Sequence, residues 1–218
     1  MMNRQLTIDV FFDFTCPWCL IGKRQLQIAI RQLKQSHPNV EVLLRWRGVE
    51  LLPQIPAEGI PFEAFYLKRL GSATAMRMRQ AQVRQSAKAV GVDIDFDRIY
   101  RMPNTAKAHS FFVNALKISS PAQSERLLEG LFSAYFHHSE NIADTAVLHK
   151  IAMYCGYAEE VIVSILAEPR IPFISKDTGG KGVPYFIFNE CFAMAGAHSA
   201  EVLYKAMLEA LVTEGQLT

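Results

Sequence analysis

The segment FDFTCPWCLIGKRQL, residues 12–26, decides how the rest of the chain is interpreted, because two of its cysteines join a strand-like run to a helix-like run. Before the cysteines, residues 6–14 read LTIDVFFDF, a β-branched and aromatic run that predicts a buried strand. After them, an apolar stripe with helical spacing continues until Pro38, which marks the end of the predicted helix. Residues 40–46 alternate like a second strand, so the first part of the chain is predicted to be a β-α-β unit with parallel strands.

Cys16 and Cys19 stand three positions apart, with Pro17 and Trp18 between them. Two cysteines at this spacing in the first turn of a helix can bring their Cβ atoms to the roughly 3.8 Å that a disulfide requires. A reversible disulfide between neighbouring thiols is the chemistry of redox exchange. The spacing therefore predicts a redox dithiol at the start of the first helix.

The position of Cys16 at the helix N-terminus predicts which sulfur reacts first. Unpaired N–H groups and the positive end of the helix dipole stabilise a thiolate there. Pro17 suits the first helical position because its φ is already helical and it has no N–H to leave unpaired. Lys23 and Arg24, about two turns along, add a positive potential that solvent screens. We expect Cys16 to be the nucleophile and Cys19, deeper in the turn, to be the resolving thiol.

A structural zinc half-site is the alternative interpretation of two cysteines at this spacing. A closed zinc site needs four ligands, and the other two cysteines, Cys155 and Cys191, are isolated in the sequence. We therefore favour redox chemistry and expect no bound metal. Cys155 and Cys191 are expected to be small buried hydrophobic residues rather than reactive thiols.

The composition indicates the class of protein and excludes several kinds of partner. Of the 218 residues, 50% are hydrophobic and 20% are charged, which predicts a folded core and excludes a disordered chain. Lys and Arg exceed Asp and Glu by only 23 − 21 = 2, so the charge does not predict a nucleic-acid partner. No apolar run approaches the roughly 18 residues of a membrane span, and the N-terminus leads into the first strand without a signal-peptide pattern. We expect a cytoplasmic protein that binds neither nucleic acid nor membrane.

The middle of the chain has a helical pattern that begins after Pro61 and continues for about a hundred residues, the length of a separate subdomain. It is rich in Ala, Met, Gln and Arg at its start and carries repeated apolar stripes with helical spacing further on. Gly71, Pro121 and Gly156 stand where helices are expected to end or begin. The middle segment is therefore predicted to be helical throughout.

Strand character returns near the C-terminus. Residues 183–188 and 191–196 read as two strands, separated only by Asn189 and Glu190, which predicts a tight hairpin. Glu at the second turn position is poorly suited to the positive φ of a type I′ turn. An amphipathic helix over residues 200–212 closes the chain.

The predicted fold class is therefore α/β, with a β-α-β half and a β-β-α half separated by a large all-helical insertion. The corresponding domain division assigns residues 1–60 and 173–218 to one domain and residues 61–172 to the insertion.

Nearly the whole chain resembles the thioredoxin-like DsbA-type oxidoreductases, and within them the FrnE-like subfamily. The resemblance is carried by three segments: residues 12–26 with their CPWC-x-IGK pattern, GVPYFIFN with the following FAMAGA, and the helix opening NTAKAH of residues 104–109. It implies a thioredoxin-like fold interrupted by a helical insertion, in agreement with the fold predicted from the residues. It also implies a thiol-disulfide oxidoreductase or protein disulfide isomerase that acts on protein or peptide thiols and disulfides. No resident cofactor is implied, and glutathione is a candidate redox partner.

The resemblance also implies roles for four further residues. The Val183-Pro184 bond is expected to be cis and to face the dithiol, and the backbone of Val183 to pair with an extended substrate segment. Asn104 and His109 resemble residues of the insertion that face the dithiol cleft, where His109 would stabilise the thiolate or carry protons. The alternative is that His109 is hydrogen-bonded within a helical core.

The sequence also departs from the family pattern. Many thioredoxin-like enzymes have a buried acid six residues before the nucleophile, and that position here is Val10. Asp13 is nearer, but the alternation of a strand puts position 13 on the face opposite position 10, so no proton relay is assigned. Some FrnE-like proteins have a second cysteine pair near the C-terminus. Only Cys191 is present there, so a second dithiol is not expected.

Two other functions remain open. Relatives of the kappa-class glutathione transferase and hydroxychromene-carboxylate isomerase type activate glutathione with a serine at the nucleophile position, and Cys16 and Cys19 argue against that chemistry. A peptide-binding, chaperone-like module with an incidental dithiol is the second alternative, although helical spacing favours a core position for the residues that would line its groove. Those residues are Phe62, Phe65, Tyr66, Met76 and Met78. Either a monomer or a homodimer is compatible with the sequence.

Overall fold

The computed structural model describes residues 4–168, 182–213 and 215. Its helices and strands follow the predicted order of a β-α-β half, a mainly helical middle segment and a β-β-α half. The elements are β1 (Arg4–Phe12), α1 (Pro17–Ser36), β2 (Val40–Gly48), β3 (Ile60–Pro61), α2 (Phe62–Leu70), α3 (Ala73–Lys88), β4 (Arg101–Met102), α4 (Ala106–Leu116), α5 (Pro121–Phe136), α6 (Thr145–Tyr154), α7 (Glu159–Ala167), β5 (Tyr185–Phe188), β6 (Phe192–Ala195) and α8 (Ala200–Thr213).

The main sheet has four strands in the order β2-β1-β5-β6. Strand β1 pairs in parallel with β2, from Arg4 opposite Val40 to Phe12 opposite Gly48, because α1 returns the chain to the same edge of the sheet. On its other side β1 pairs antiparallel with β5, which pairs antiparallel with β6. The α/β fold class and the parallel β-α-β unit predicted from the periodicity are confirmed.

One face of this sheet forms the core that supports α1. Leu6, Ile8 and Val10 alternate along β1 and are buried with the apolar faces of α1 and α8. Full burial of a Leu or Ile side chain contributes about 1.5–3 kcal/mol. The amphipathic face of α1 is therefore held on the sheet along its length, and its first turn lies beyond the carboxyl end of β1.

The predicted tight hairpin between β5 and β6 is also present. Asn189 and Glu190 both have positive φ, 47° and 60°, and the Cys191 N–H donates to the Phe188 carbonyl at 3.1 Å. Asn189 also bonds β1, since its N–H donates to the Thr7 carbonyl and its Oδ1 accepts from the Thr7 N–H, each at 2.8 Å. Strand β6 begins one residue later than expected, so Cys191 belongs to the turn.

The middle segment is mainly helical, as predicted, and Gly71 ends α2 in the left-handed conformation with φ 82°. It also contains a short sheet that the sequence did not predict, in which Ile60 of β3 pairs with Met102 of β4. In the described parts of the chain, no helix has the length and apolar character that crossing a membrane requires.

The chain divides into two compact units, Met1–Val49 with Ser175–Thr218, and Glu50–Ile174. The segment between Val49 and β3 lies in the second unit, where the Ile55 carbonyl accepts a hydrogen bond from the Asn104 side chain. The sequence assigned this segment to the first domain. The division into residues 1–60 with 173–218 and 61–172 stays a prediction, and its second junction lies outside the described residues.

Candidate active site

A tight turn joins β1 to α1 and sets the position of Cys16. The Cys16 N–H donates to the Asp13 carbonyl at 3.1 Å, which closes the turn. The Asp13 carboxylate accepts hydrogen bonds from the N–H and the hydroxyl of Thr15, each at 2.8 Å. Asp is favoured at the first position of such turns because its side chain can bond the main chain two residues further on. Both Asp13 and Thr15 are buried.

Cys16 is the residue that immediately precedes the first turn of α1. Its backbone is extended, with φ −88° and ψ 109°, and Pro17 opens the helix. The Cys16 carbonyl accepts from the N–H groups of Cys19 and Leu20 at 3.0 and 3.4 Å. The sulfur therefore lies at the N-terminus of a 20-residue helix, where the dipole favours negative charge.

The sulfurs of Cys16 and Cys19 are in hydrogen-bond contact. Both residues are free thiols and both are buried, Cys16 with 7% of its surface exposed and Cys19 with 2%. Burial raises the pKa of Cys19 well above its ordinary value, and the hydrogen bond and charge of Cys16 raise it further. The main chain of Asp13 also hydrogen-bonds the Cys19 thiol, which lowers its pKa, whereas the Asp13 carboxylate raises it. At neutral pH Cys19 is therefore a thiol.

The loop before β5 lies directly beside Cys16. The Cys16 thiol donates to the Val183 carbonyl at 3.7 Å, and the Val183-Pro184 peptide bond is cis. A Cβ atom added to Gly22 of α1 would lie 3.1 Å from Cγ of Pro184. The glycine of the CPWC-x-IGK pattern therefore allows this loop to pack closely against α1.

Lys23 is a buried charged residue that sequence reasoning misjudged. It was expected to contribute only a screened potential, yet 1% of its surface is exposed. It follows Cys19 by four positions on α1, so the two side chains lie along one face of the helix. Lys is rarely buried in this way without a compensating partner. The four-residue spacing from Cys19 could have predicted the burial of Lys23, because Cys19 itself was expected to face inward.

Asn104 and His109 lie in the Glu50–Ile174 unit, at the start of α4. The Asn104 Oδ1 accepts from the Ala106 N–H at 3.0 Å, and its Nδ2 donates to the Ile55 carbonyl at 2.7 Å. The Asn104 amide therefore hydrogen-bonds both the first residue of α4 and the segment that contains Ile55. His109 is fully buried, which agrees with the core alternative. Their assignment to the dithiol cleft stays a prediction.

The two remaining cysteines differ from each other. Cys155 is buried, as expected, and burial raises the pKa of its thiol. The prediction that Cys191 is buried is wrong, because the residue belongs to the hairpin turn and is exposed. Its thiol donates to the Phe188 carbonyl at 3.5 Å, within the same turn. Among the residues described, no three His, Cys, Asp or Glu side chains are grouped so that they could hold a metal ion.

Comparison with known proteins gives a family match and a set of related folds. The protein YwbO of Bacillus subtilis (strain 168) is 26% identical over 149 residues, which are 68% of this chain and 66% of that protein. The aligned region thus spans slightly under two thirds of this curated relative.

Three solved structures are similar over almost their whole length. A probable DsbA oxidoreductase, SCO1869 from Streptomyces coelicolor, has a TM-score of 0.82 at 22% identity and covers 98% of this chain and 92% of its own. A 2-hydroxychromene-2-carboxylate isomerase has a TM-score of 0.61 at 12% identity, with coverages of 97% and 99%. The cytosolic disulfide reductase DsbM from Pseudomonas aeruginosa, solved with GSH, has a TM-score of 0.60 at 15% identity, with coverages of 96% and 98%.

At these identities the structural likeness shows a shared fold. It agrees with the strand order and the helical insertion described above, and so confirms the thioredoxin-like fold predicted from the sequence. The family profile of the DSBA-like thioredoxin domain matches residues 7–208, which include the dithiol turn, the middle helices and both strands of the C-terminal hairpin. The chain belongs to the family of DSBA-like thioredoxin domains.

Proposed function

We propose that this protein is a thiol-disulfide oxidoreductase, able to act as a disulfide isomerase, whose redox centre is the Cys16-Cys19 dithiol. The observation that carries the proposal is the hydrogen-bond contact between the two sulfurs at the N-terminus of α1. A thiolate at Cys16 accepts a hydrogen bond from the Cys19 thiol and is further stabilised by the helix dipole. In this arrangement Cys16 is the nucleophile, and Cys19 stays a thiol until the resolving step.

The reaction proceeds in two exchange steps. The Cys16 thiolate attacks one sulfur of a substrate disulfide, forming a Cys16–substrate bond as the substrate S–S bond breaks and the other substrate sulfur leaves as a thiolate. Cys19 then loses its proton and attacks the Cys16 sulfur, which releases the second substrate sulfur. The substrate gains two electrons and the Cys16-Cys19 pair becomes a disulfide. A low-molecular-weight thiol such as glutathione returns the two electrons to the protein.

The main chain of Val183 is proposed as the substrate-binding edge beside the dithiol. Its carbonyl lies 3.7 Å from the Cys16 sulfur, so an extended peptide paired with this segment would bring its own sulfur to Cys16. Pro184 has no N–H that would approach the dithiol. Asn104 and His109 are further candidate site residues, on the strength of the NTAKAH segment of residues 104–109 alone.

We further propose that the protein belongs to the FrnE-like subfamily and acts in the cytoplasm with glutathione. The CPWC-x-IGK pattern supports the subfamily. The cytosolic location of DsbM and its structure with GSH support the compartment and the partner. A reducing compartment favours net reduction or isomerisation of substrate disulfides, because it keeps the pair as a dithiol.

The two alternatives are less well supported. The fold is shared with a 2-hydroxychromene-2-carboxylate isomerase, but a second sulfur in contact with the first has no use in activating glutathione. For the chaperone-like alternative, Phe62 stacks with Phe96 at 6.2 Å and is buried with Met76, so these two residues belong to a core. Met78 is the exposed member of the set.

The proposal is tested with single serine variants in a disulfide-reduction assay coupled to glutathione, glutathione reductase and NADPH. We expect C16S to lose turnover completely and C19S to accumulate a mixed disulfide with the substrate, visible by intact mass. C191S is the matched control, because it removes an exposed thiol in the turn between β5 and β6, and it should retain wild-type turnover. Full turnover by C16S would refute the proposal.

A further inference from the structure

The connection between β6 and α8, residues 196–199, lies beside the loop that enters β5. The Gly196 N–H donates to the Pro184 carbonyl at 2.8 Å. Pro184 directly follows Val183, whose carbonyl accepts from the Cys16 thiol. Gly196 has φ 98°, a conformation that favours glycine. This connection therefore contacts the proposed substrate-binding edge through one main-chain hydrogen bond.

The same connection is attached to α1 at its other end. The N–H of Ala200, the first residue of α8, donates to Oε1 of Gln25 in α1 at 2.8 Å. Helix α1 carries the dithiol, and the Pro184 loop carries the proposed substrate-binding edge. Residues 196–199 therefore join the two segments that meet at Cys16.

His198 is the residue of this connection whose side chain returns to the sheet. Its ring Nε2 lies 2.8 Å from the Ala195 carbonyl, and its main-chain N–H donates to the Gly196 carbonyl at 3.1 Å. A carbonyl oxygen can only accept, so Nε2 carries the proton in the first of these bonds. The ring and the main chain of His198 thus fix the direction in which the chain leaves β6.

The register of the hairpin shows where the His198 ring lies. Ala195 stands opposite Tyr185, and the bond from Gly196 to Pro184 is the next one along the pair. Backbone groups alternate in direction along a strand, so the Ala195 carbonyl points away from β5. Among the residues described, β6 is the last strand on that side of the main sheet. The ring therefore caps an edge carbonyl at the end of β6 that is nearest to the Pro184 loop.

We propose that His198 is a positioning residue for substrate binding. Its ring holds Gly196 where the N–H supports the Pro184 carbonyl, which keeps the Val183 main chain in place for an extended peptide. This inference rests on the proposed function, since it concerns the binding edge of that reaction. His198 should therefore matter for extended peptide disulfides, which pair with Val183, and not for small disulfides, which need only reach Cys16.

Two disulfides with the same leaving group separate binding from reactivity. One is 5,5′-dithiobis(2-nitrobenzoate), and the other is a blocked peptide of alanine and threonine whose single central cysteine is linked to thionitrobenzoate. Attack by the Cys16 sulfur releases thionitrobenzoate as a thiolate from either probe, and only the peptide has a main chain that can pair with Val183. The parent protein and all variants carry C191S, because the exposed Cys191 would react with both probes.

We expect H198A to raise the peptide concentration that gives half the maximal rate about two- to tenfold, the effect of losing one hydrogen bond. The maximal rate with the peptide and the rate with the small disulfide should stay within about twofold of the parent protein. H198Q should recover the parent value, because Nε2 of glutamine lies as many bonds from the main chain as Nε2 of histidine and still donates. H198N, whose amide is one carbon shorter, should behave like H198A.

A comparison at two pH values separates the hydrogen bond from an effect of charge. Neutral and protonated imidazole can both donate from Nε2. The ratio of the half-saturation concentrations of H198A and the parent should therefore be the same at about pH 6 and at about pH 8. A ratio that changes over this range would show that His198 acts through its charge and would overturn the inference.

A control variant and the small disulfide distinguish the possible failures. H149A removes another partly exposed histidine whose Nε2 is bonded at 2.8 Å, to Glu159 in the helical unit, and should leave both reactions unchanged. An H198A half-saturation concentration equal to that of the parent, or a loss in H198Q as large as in H198A, overturns the role of His198. If C16S reacts with both probes as fast as the parent, the proposed function itself is wrong.

Discussion

A Cβ atom added to Gly22 would lie 3.1 Å from Cγ of Pro184 and 3.4 Å from Cζ of Phe186. Helix α1 and the loop that enters β5 are thus in contact through a residue without a side chain. The same loop places the Val183 carbonyl 3.7 Å from the Cys16 sulfur. The position of the proposed substrate-binding edge therefore depends on how closely α1 approaches Pro184.

We expect Gly22→Ala to disturb both stability and the reaction of Cys16. Ala favours a helix interior by about 1 kcal/mol, but overpacking against a proline ring and the buried Phe186 costs about 1–3 kcal/mol. The net result should be a lower urea midpoint and a several-fold slower reaction of Cys16 with a peptide disulfide.

Gly130→Ala is the matched control for this effect. Its added Cβ would meet Ile151 Cγ2 at 2.9 Å, in the helical unit, so it should lower the urea midpoint without slowing Cys16. A G22A protein with reduced stability and an unchanged Cys16 rate would contradict the link between this contact and the reaction.

The raised pKa of Cys19 predicts how stability depends on pH. In the unfolded chain the thiol ionises near its ordinary value of about 8.5, whereas burial and Cys16 keep it protonated in the folded state. Its contribution is therefore fully present below that pH and is lost as the pH rises, at roughly 1 kcal/mol per pH unit until the folded pKa is reached.

The measurement is urea unfolding of the reduced protein between pH 8 and pH 10. Wild type should lose free energy of unfolding more steeply than Cys19→Ala over this range. Cys155 also has a raised pKa and remains in both proteins, so its effect cancels in the comparison. Parallel slopes for the two proteins would show that Cys19 titrates normally in the folded state.

Much of the fold and the dithiol could be predicted because they depend on local pattern. Apolar residues alternate along β1 at Leu6, Ile8 and Val10, and an apolar stripe with helical spacing follows Cys19. These two patterns identify the faces of β1 and α1 that are buried against each other. The hairpin followed from two strand-like runs with only Asn189 and Glu190 between them, and both residues take the positive φ that such a turn demands.

The surroundings of the dithiol could not be predicted in the same way. Strand alternation was applied to Asp13, but β1 ends at Phe12, and beyond that residue the turn decides where the side chain lies. The burial of Lys23 depends on tertiary packing that helical spacing alone does not report. The pairing of Ile60 with Met102 joins residues far apart in the chain, and two-residue strands carry no periodicity.

The ion pair of Asp9 and Arg47 predicts an asymmetric effect of substitution. The Arg47 Nε lies 2.7 Å from the Asp9 carboxylate, and Asp9 is buried whereas Arg47 is half exposed. Removing Arg47 leaves a buried carboxylate without this partner, so R47M should cost about 1–3 kcal/mol in free energy of unfolding. D9N leaves an exposed guanidinium that water can solvate, and should cost less.

A double-mutant cycle checks this asymmetry by urea unfolding. D9N in the R47M background should recover part of the lost free energy of unfolding, because it removes the buried carboxylate charge that R47M leaves without its Arg47 partner. Strict additivity of the two single effects would mean that the pair contributes nothing measurable.

The last prediction concerns Asn104, whose side chain makes both a local and a long-range hydrogen bond. Its Oδ1 accepts from the Ala106 N–H, and its Nδ2 donates to the Ile55 carbonyl. We expect N104A to cost about 1–3 kcal/mol in free energy of unfolding, since it removes both bonds.

Asn141 offers a matched control, because its Oδ1 accepts from the Ala143 N–H and N141A therefore removes a bond of the same local kind. The excess loss in N104A, about 1 kcal/mol, reports the bond to Ile55. Equal losses in the two variants would exclude that contribution, and a raised KM for a peptide disulfide in N104A at unchanged stability would instead favour a place for Asn104 in the cleft.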